Sequence, residues 1–522
     1  MARKVLVLVS GKKKSLLQTT MAVTLVIFVS KAGGFLREIV MTAYYGASAE
    51  MDAYNMAYSL YYVPVLLFNS CITSTLVPLY VQLRHEGPAR RLNRFSSNVV
   101  NLFAFFSIVV SILMYFLAGP LVRLTAQGFF PEQQRLTAEL LRRMLPSLAF
   151  IVASIVLSSI LNAREKYLAA QLTGFPLTFS LLIATIGFSH SAGIRALAWG
   201  VFVSGILQVA ILLPAMRGLM KYEFSFDISD PAFRRLMRLA GPAVLSMAVN
   251  ELNHMVDKML ATGLPEGHLS CMSLAYRLIT FLVGVVLVPL ETVTFSRMSI
   301  RTASHDERGV GEIVTQCAEL VALVILPIIA VGAIMSKDVI RLAYMHGVFS
   351  ERAVGTAAYA LVFYIIGVFS FGMRDILNRA FHACQDTRTP MLNSMATVAV
   401  NIALNLLLVR VMGVGGLALA TSLSATAGAA SLLMLLRRRI GRFMGRRTLE
   451  ELLKTGIAAA LCALACLVID RTLPPARGSL GSLWRLAAGT GASLAVYVAA
   501  AAALRVRQVR VAADMVRGRL KR

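Results

Sequence analysis

Residues 16–45 read LLQTTMAVTLVIFVSKAGGFLREIVMTAYY, a mostly apolar stretch that is interrupted by Lys31, Arg37 and Glu38. About 20 apolar residues in a helix cross the hydrocarbon core of a bilayer, so this stretch is long enough to span it. A charge near the middle of such a helix costs roughly 2.5–3.5 kcal/mol on insertion scales, and it therefore faces a partner or a water-filled cavity. The stretch predicts a membrane helix that contributes to a polar site.

The rest of the chain has the same apolar character. Of its 522 residues, 57% are hydrophobic and only 15% are charged, and the mean hydropathy is +0.71. These values exclude an ordinary soluble protein, in which about 25% of residues are charged. We predict an all-α polytopic membrane protein with about fourteen transmembrane helices, because lone segments in lipid must satisfy their own backbone hydrogen bonds. The predicted helices begin near Leu16, Asp52, Asn98, Leu140, Tyr167, Ile194, Met237, Leu269, Ile313, Ala353, Pro390, Gly415, Leu452 and Leu486.

The charge distribution predicts the orientation of the chain. The formal net charge is +26, and the basic residues cluster in alternate loops. The loops between those clusters, such as residues 46–51 and 263–270, contain no Lys or Arg. By the positive-inside rule both termini are cytoplasmic, and the basic tail at residues 505–522 is suited to contact anionic lipid. No aromatic-basic module accompanies the charge, so nucleic acid is not an expected partner.

A weak internal repeat predicts two lobes. Residues 56–60, MAYSL, return as residues 274–278, LAYRL, each after a span and a short acidic loop. Two related bundles around a central site are a recurrent transporter architecture, and rocking one bundle against the other gives alternating access. We predict two pseudo-symmetric six-helix lobes followed by two C-terminal helices and a basic tail, over residues 1–222, 223–447 and 448–522 respectively.

Three cations are candidates for substrate binding. Lys31 and Arg37 lie on the first span and Arg277 lies deep in the eighth, so lobes that face each other would bring all three to one cavity. Cations gathered in a cavity predict an anionic substrate, most naturally a phosphate or diphosphate, which Arg binds through two parallel hydrogen bonds. Because the cytoplasm is negative, moving one negative charge outward releases about 2.3 kcal/mol per 100 mV, so an anion exporter could use the membrane potential.

Five further polar residues are candidates for gating or ion coupling. Glu38 shares the first span, Asp52 lies near the outer mouth of the second, and Asn250, Asn253 and Asp257 form a polar stripe on the seventh. Such groups tune the charge of the site or bind a monovalent coupling cation, and no other metal or cofactor is predicted. Two simpler interpretations stay open: Glu38 and the arginine before it pair with neighbouring helices to fix packing, and Asp257 is solvated near the outer end of its span.

Several motifs resemble one transporter family. Residues 30–40, SKAGGFLREIV, with YGA at 45–47 and DAY at 52–54, resemble the opening signature of the MurJ/MviN family of lipid II flippases. The resemblance runs from about Leu16 to Leu436, and three later motifs agree with it. They are GLPEG at residues 263–267 with AYRL at 275–278, HGVF at 346–349, and RAFHACQDTRTP at 379–390.

The resemblance implies a fourteen-helix member of the multidrug/oligosaccharidyl-lipid/polysaccharide flippase superfamily, which moves lipid-linked peptidoglycan precursor outward across the bacterial inner membrane. It implies transport roles for Arg37, Asp52 and Arg277, and for Lys31, where the family often has Arg. The implied partners are lipid II, membrane lipids and cell-wall synthesis proteins. The chain departs from the family in the second span, where many relatives carry a Pro-Asn-Leu-Leu-Arg-Arg run and residues 61–67, YYVPVLL, supply no cation.

A lipid II flippase is therefore the predicted function, with the diphosphate among Lys31, Arg37 and Arg277. The alternatives are a flippase for another polyprenyl-diphosphate-linked oligosaccharide and an ion-coupled drug exporter of the same superfamily, although drug exporters usually accept cations and this site is cationic. A membrane enzyme such as a polymerase or phosphatase would need a catalytic constellation near an interface, and the sequence offers none. We therefore predict that the chain is not an enzyme. A non-transporting scaffold would have no use for buried cations.

Overall fold

The computed structural model describes residues 16–510 apart from 87, 305 and 475–477, and this description excludes the side chains of residues 16–20, 242, 243, 245, 246, 250 and 292. Within these ranges all regular secondary structure is α-helical, which confirms the predicted fold class. The chain divides into two compact units, residues 1–255 and 256–522. The predicted lobe boundaries at residues 222 and 447 remain a prediction.

The first unit contains eight helices and the start of a ninth, which runs on into the second unit. They are α1 Leu16–Tyr45, α2 Ala49–Glu86, α3 Ala89–Thr125, α4 Pro131–Met144, α5 Ser147–Ala163, α6 Tyr167–Gln171, α7 Gly174–Ala192, α8 Arg195–Met216 and α9 Pro231–Ala261. The second unit continues with α10 His268–Ala303, α11 Glu307–Ile334, α12 Ser336–Tyr344, α13 Glu351–Ile366, α14 Val368–Ala383, α15 Arg388–Met412, α16 Val414–Ile440, α17 Arg446–Thr472 and α18 Gly478–Ala503.

The helices account for the predicted number of membrane spans. In the described ranges ten helical segments are long and apolar enough to cross a bilayer, and the bent pairs α4 with α5 and α13 with α14 bring the number to twelve. The other two long helices, α1 and α9, have 30 and 31 residues. At about 1.5 Å per residue both exceed the roughly 30 Å of hydrocarbon. Counted by length alone with the twelve apolar segments, these two helices agree with the prediction of about fourteen spans.

Both bends fall where the local sequence cannot continue a tightly packed helix. The α4 and α5 axes meet at 45°, and Pro146 between them lacks the N–H that an unbroken helix needs. The α13 and α14 axes meet at 43° at Gly367, where an added Cβ would collide with Ser422 of α16. The second bend thus permits a close approach of backbone to side chain.

Large apolar side chains cover the outside of several helices. Phe116 on α3 is 74% exposed, Ile183 on α7 is 62% exposed and Leu407 on α15 is 68% exposed. Leaving such surface in water is unfavourable by about 25 cal/mol for each Å². These faces are therefore suited to lipid chains, as the composition predicts.

A non-helical segment, residues 219–230, joins α8 to α9 and lies along α3; we call it the strap. The Asn98 side chain of α3 bonds both backbone groups of Asp227, accepting from its N–H at 2.7 Å and donating to its carbonyl at 2.8 Å. One turn along α3, the Asn101 amide donates to the Ser225 carbonyl at 2.9 Å. Side chains of α3 thus replace the backbone partners that a helix or sheet would supply.

The two C-terminal helices are fixed to α12 by a buried cation. Arg485 of α18 is 9% exposed, and its Nε donates to Asp338 Oδ2 of α12 at 3.0 Å. Its terminal nitrogens donate to the carbonyls of Leu473 and Pro474 and to the carboxylate of Asp470. A buried guanidinium is tolerated only when it is paired and hydrogen-bonded in this way. Arg485 was not among the residues predicted from the sequence to be structurally important.

Candidate functional site

The first two candidate cations lie on α1. Lys31 is exposed, whereas the Arg37 side chain is only 16% exposed. Arg37 Nη2 lies 3.5 Å from the carboxylate of Glu38, which is itself buried. The Nε of Arg37 is buried and has no hydrogen-bond partner among the residues that the structure describes. The Arg37 guanidinium thus has a long ion pair with Glu38 and an N–H donor that is still available. A guanidinium in this state can bind an anion through charge-assisted hydrogen bonds.

Helix α2 contributes a buried carboxylate and a row of tyrosines. Asp52 lies in its first turn and is 2% exposed, and a negative charge there is favoured by the helix dipole. The Arg37 guanidinium is within electrostatic range of Tyr54 and Tyr58. The sequence analysis did not identify these tyrosines as part of the site, although their spacing of four residues places them on one helix face.

Asp257 is the centre of a polar cluster in the second unit. It is 5% exposed, so the interpretation that it is merely solvated is wrong. The Asn405 amide of α15 donates to Asp257 Oδ1 at 2.6 Å and to Asn401 Oδ1 at 2.7 Å. The Thr421 hydroxyl of α16, which donates to the Leu417 carbonyl at 2.9 Å, lies beside Asp257, and the Asn401 amide donates to Ser424 Oγ at 3.2 Å. Three helices therefore place carboxylate, amide and hydroxyl oxygens together.

Helix α15 carries a buried polar stripe, and two of its members, Asn401 and Asn405, belong to this cluster. Asn393, Thr397, Asn401 and Asn405 recur every four residues and are all buried. A polar stripe of this kind on an apolar span resembles the stripe recognised on the seventh helix. The four-residue spacing of these polar residues was visible in the sequence and could have predicted a polar stripe on α15. The helices that pack against this stripe could not have been predicted.

The other candidates on α9 are less well placed. Asn253 is half-buried, with contacts of its own. The side chain of Asn250 falls outside the described part of the chain. Roles for both residues in gating or ion coupling stay predictions.

Arg277 lies on α10 in the second unit and is half-buried. Its guanidinium is within electrostatic range of Tyr344, the buried last residue of α12, whose hydroxyl donates to the Leu274 carbonyl. Because Arg37 belongs to the first unit and Arg277 to the second, their meeting in one site stays a prediction.

The second unit also contains a buried ion pair that the sequence analysis did not identify. Arg379 of α14 donates to Glu291 Oε2 of α10 from Nη2 at 2.9 Å and from Nε at 3.2 Å. The Glu291 side chain is 4% exposed and that of Arg379 is 36% exposed. The pair links two long helices of the unit, and its cation reaches a more open environment than its carboxylate.

Comparison with known families identifies the chain. The sequence model of the family described as Lipid II flippase MurJ matches residues 41–486. The chain belongs to this family. A flippase moves its lipid without making or breaking a covalent bond, so membership confirms a transporter rather than an enzyme.

Curated relatives support membership of the MurJ family along most of the chain. The probable lipid II flippase MurJ of Thermotoga maritima is 25% identical over 480 residues, which cover 91% of this chain and 94% of that protein. The protein of the same description from Rhizobium meliloti is 27% identical over 456 residues, 84% of each chain. That from Buchnera aphidicola subsp. Acyrthosiphon pisum is 26% identical over 416 residues, 78% of this chain and 81% of that protein.

Solved structures show the same fold. A structure of lipid II flippase MurJ in an inward closed conformation matches with a TM-score of 0.80 at 24% identity, covering 92% of this chain and 98% of that one. An inward-facing multidrug resistance MATE family transporter of the MOP superfamily matches with a TM-score of 0.70 at 13% identity, covering 79% and 94%. At these identities the likeness shows the MOP-type fold alone.

Proposed function

We propose that this protein moves lipid II from the cytoplasmic to the outer leaflet of the bacterial inner membrane by alternating access. The observation that carries the proposal is the match to the lipid II flippase family across residues 41–486, which includes most of the membrane helices. A lipid-linked precursor and the surrounding membrane lipids are then its partners. Cell-wall synthesis proteins that make and use lipid II are the protein partners that this role calls for.

The diphosphate of the substrate binds to cations on α1 and α10 in this proposal. Arg37 supports it, because its guanidinium is mostly buried and has an available donor. Diphosphate oxygens accept paired hydrogen bonds from guanidinium groups more readily than from a point charge such as ammonium. Arg37 and Arg277 therefore hold the diphosphate, and the exposed Lys31 attracts it on entry.

Energy for transport comes from the membrane potential and from a coupling cation at Asp257. Outward movement of the anionic headgroup releases about 2.3 kcal/mol per charge per 100 mV. The Asp257 cluster offers one carboxylate among neutral amide and hydroxyl oxygens. Oxygen donors are the ligands that hard cations prefer, and one carboxylate among neutral donors balances the charge of a monovalent cation.

The positive-inside rule supports cytoplasmic termini. Arg84, Arg90, Arg91 and Arg94 are all exposed around the connection from α2 to α3, and the connection from α1 to α2 has no Lys or Arg. The α2–α3 connection is therefore cytoplasmic and the α1–α2 connection is external. Fusions of fluorescent protein and of periplasmic phosphatase at each connection test this orientation.

Complementation tests the function. A strain depleted of its own lipid II flippase should grow when it expresses this chain, and it should not grow with Arg37→Ala or Arg277→Ala. Arg410→Ala, at an exposed residue in the last turn of α15, is the matched control and should support growth. Failure of the correctly inserted wild type would reject lipid II as the cargo. Full rescue by both alanine variants would reject the diphosphate site while keeping the cargo.

A further inference from the structure

The first unit contains a cavity of about 260 Å³ between α2, α5, α7 and α8. Apolar walls with a few converging polar groups are typical of sites for small molecules. The diphosphate site described above does not use this cavity. The aromatic and polar side chains that border it are Tyr58, Tyr61, Tyr62, Asn69, Thr173 and Gln208.

Three tyrosines stack along α2 and lead to this cavity. The Tyr54 and Tyr58 ring centroids are 6.0 Å apart with an interplanar angle of 25°, and those of Tyr58 and Tyr62 are 5.6 Å apart with an angle of 14°. Tyr54 is 2% exposed, whereas Tyr62 is 38% exposed. The tyrosine stack therefore has a buried end near Arg37 and an open ring face at the cavity.

The polar groups of the cavity are partly fixed in advance. The Tyr61 hydroxyl bonds Ser147 Oγ at 2.7 Å, and the Gln208 carbonyl oxygen accepts from Ser154 at 3.2 Å. Among the residues that the structure describes, the hydroxyls of Tyr58 and Tyr62 have no hydrogen-bond partner. Groups that are already oriented lose little freedom when a ligand binds.

The charge of the wall restricts the kind of ligand. From residue 53 to residue 83, α2 contains no Asp, Glu, Lys or Arg. The residues that line the cavity are all uncharged, so the wall offers ring faces, amides and hydroxyls, and the Glu251 carboxylate is within electrostatic range of Tyr62. A pyranose ring fits this surface, because its C–H groups pack against an aromatic face while its hydroxyl and acetamido groups bond amides and hydroxyls.

We propose that the cavity binds a sugar ring of the lipid-linked substrate, with the pyranose face against Tyr62, which Tyr58 supports from behind in the tyrosine stack. This inference rests on the proposed function and adds a sugar subsite to it. Because Arg37 lies within electrostatic range of Tyr54 and Tyr58, a diphosphate at Arg37 places its attached sugars beside the tyrosine stack. Ligand pockets usually measure roughly 300–1,000 Å³, so a cavity slightly below that range holds one monosaccharide rather than the whole headgroup.

Binding of three lipids to the purified full-length protein tests the sugar subsite. The probes are undecaprenyl diphosphate, the same lipid with the disaccharide but no peptide, and lipid II. Tyr62→Leu and Tyr58→Leu should weaken binding of both sugar-bearing lipids by roughly tenfold, the loss expected when an aromatic contact is removed. Binding of undecaprenyl diphosphate should not change. Tyr62→Trp keeps an aromatic face and should bind all three like wild type.

A matched control separates a local effect from a general one. Tyr44→Leu alters a tyrosine of α1 that is 40% exposed and lies outside the tyrosine stack, and it should leave all three affinities unchanged. Melting temperatures of every variant establish that the protein is folded, and Tyr62→Leu, at an exposed residue, decides the result if Tyr58→Leu does not fold.

Each contrary result overturns a different statement. Equal weakening of all three lipids by Tyr62→Leu would assign the cavity to the shared prenyl diphosphate and reject the sugar subsite. A change confined to lipid II would assign it to the peptide and reject the sugar subsite as well. If Tyr62→Leu binds all three lipids as tightly as wild type does, the sugar subsite alone is rejected. If folded wild type binds none of the lipids, the proposed function is rejected.

Discussion

The side-chain amide of Asn405 donates a 2.6 Å hydrogen bond to the carboxylate of Asp257, although 148 residues separate them. The bond joins α15 to α9 and completes a set of oxygen donors around one buried negative charge. A buried charge is stable only when it is paired, hydrogen-bonded or bound to a cation. The relationship therefore connects the packing of the second unit with its proposed response to ions.

Asp257→Asn should abolish stabilisation by the coupling cation. A cation at about 100 times its dissociation constant stabilises the folded protein by about 2.7 kcal/mol, and the variant lacks the charge that binds it. The measurement is thermal unfolding of the purified protein in sodium, lithium or potassium chloride against choline chloride. The control is Asn393→Ala, at a residue of α15 two or more turns from Asn401 and Asn405. It removes a bond to the Gly428 carbonyl of α16 and should keep the ion response. An unchanged ion response in Asp257→Asn would show that the cluster is only structural.

Arg485→Met should destabilise the attachment of α17 and α18. The change removes the guanidinium that pairs with Asp338 and Asp470, whereas Arg341 and Ser482 still contact Asp338 at 3.1 Å and 3.0 Å. The loss should therefore fall below the roughly 3–5 kcal/mol that a fully broken buried pair costs. The double variant Arg485→Met with Asp338→Leu should recover most of that loss, because neither charge then stays buried. Thermal unfolding measures both, and Arg471→Ala, at an exposed residue of α17, serves as control. A single variant as stable as wild type would contradict the proposed importance of this cation.

Gly416→Ala should destabilise the tight junction of α15 and α16. An added Cβ would collide with the backbone carbonyl of Leu408, which cannot move without displacing its helix. Overpacking of this kind typically costs about 1–3 kcal/mol. Gly355→Ala is the matched change, since an added Cβ there meets no atom within 4 Å. It should be neutral or stabilising by up to about 1 kcal/mol, the difference in helix propensity. Melting temperatures that fall equally in both variants would argue against the close contact.

Asp386 should give the protein a stability contribution that is lost in acid. Hydrogen bonds from the backbone N–H of Thr389, then from its hydroxyl, and the Arg439 guanidinium hold the pKa of this carboxyl below its ordinary value. A lowered pKa in the folded state means that the contribution is complete above the unfolded pKa of about 3.9 and disappears as pH falls through the folded value.

Asp386→Asn should therefore lower the free energy of unfolding at pH 7 by roughly 0.3–1 kcal/mol, the usual contribution of a negative charge at a helix N-terminus, and by less at pH 3. Unfolding of wild type and variant at the two pH values tests this sign. A difference that grows in acid would show that the carboxylate does not stabilise the start of α15.

The helix positions could be predicted well because hydropathy is a local property. The predicted start at Tyr167 is the observed first residue of α6, and the start at Gly415 differs by one residue from α16. The starts at Asn98 and Leu140 are each wrong by nine residues, since the helices begin at Ala89 and Pro131. Helix α4 carries several charged residues, so hydropathy does not identify it as part of a membrane span. The bend after α4 lies at Pro146, and whether a proline bends a helix depends on the residues packed around it.

The site could be predicted in part. Buried Glu38, Asp52 and Asp257 and the mostly buried Arg37 follow from the rule that charges inside apolar spans face away from lipid. The partners of Asp257 could not be predicted, because a single sequence does not say which helix packs against which. Arg485 was missed for the same reason.

The strap has a consequence for motion. Asn98 and Asn101 bond the backbone of the strap. The connection between α8 and α9 is therefore not a flexible linker, because it moves together with α3. Any rotation of α9 relative to α3 must then occur in the few residues around Asp230. The position of this hinge, rather than the length of the strap, limits that rotation.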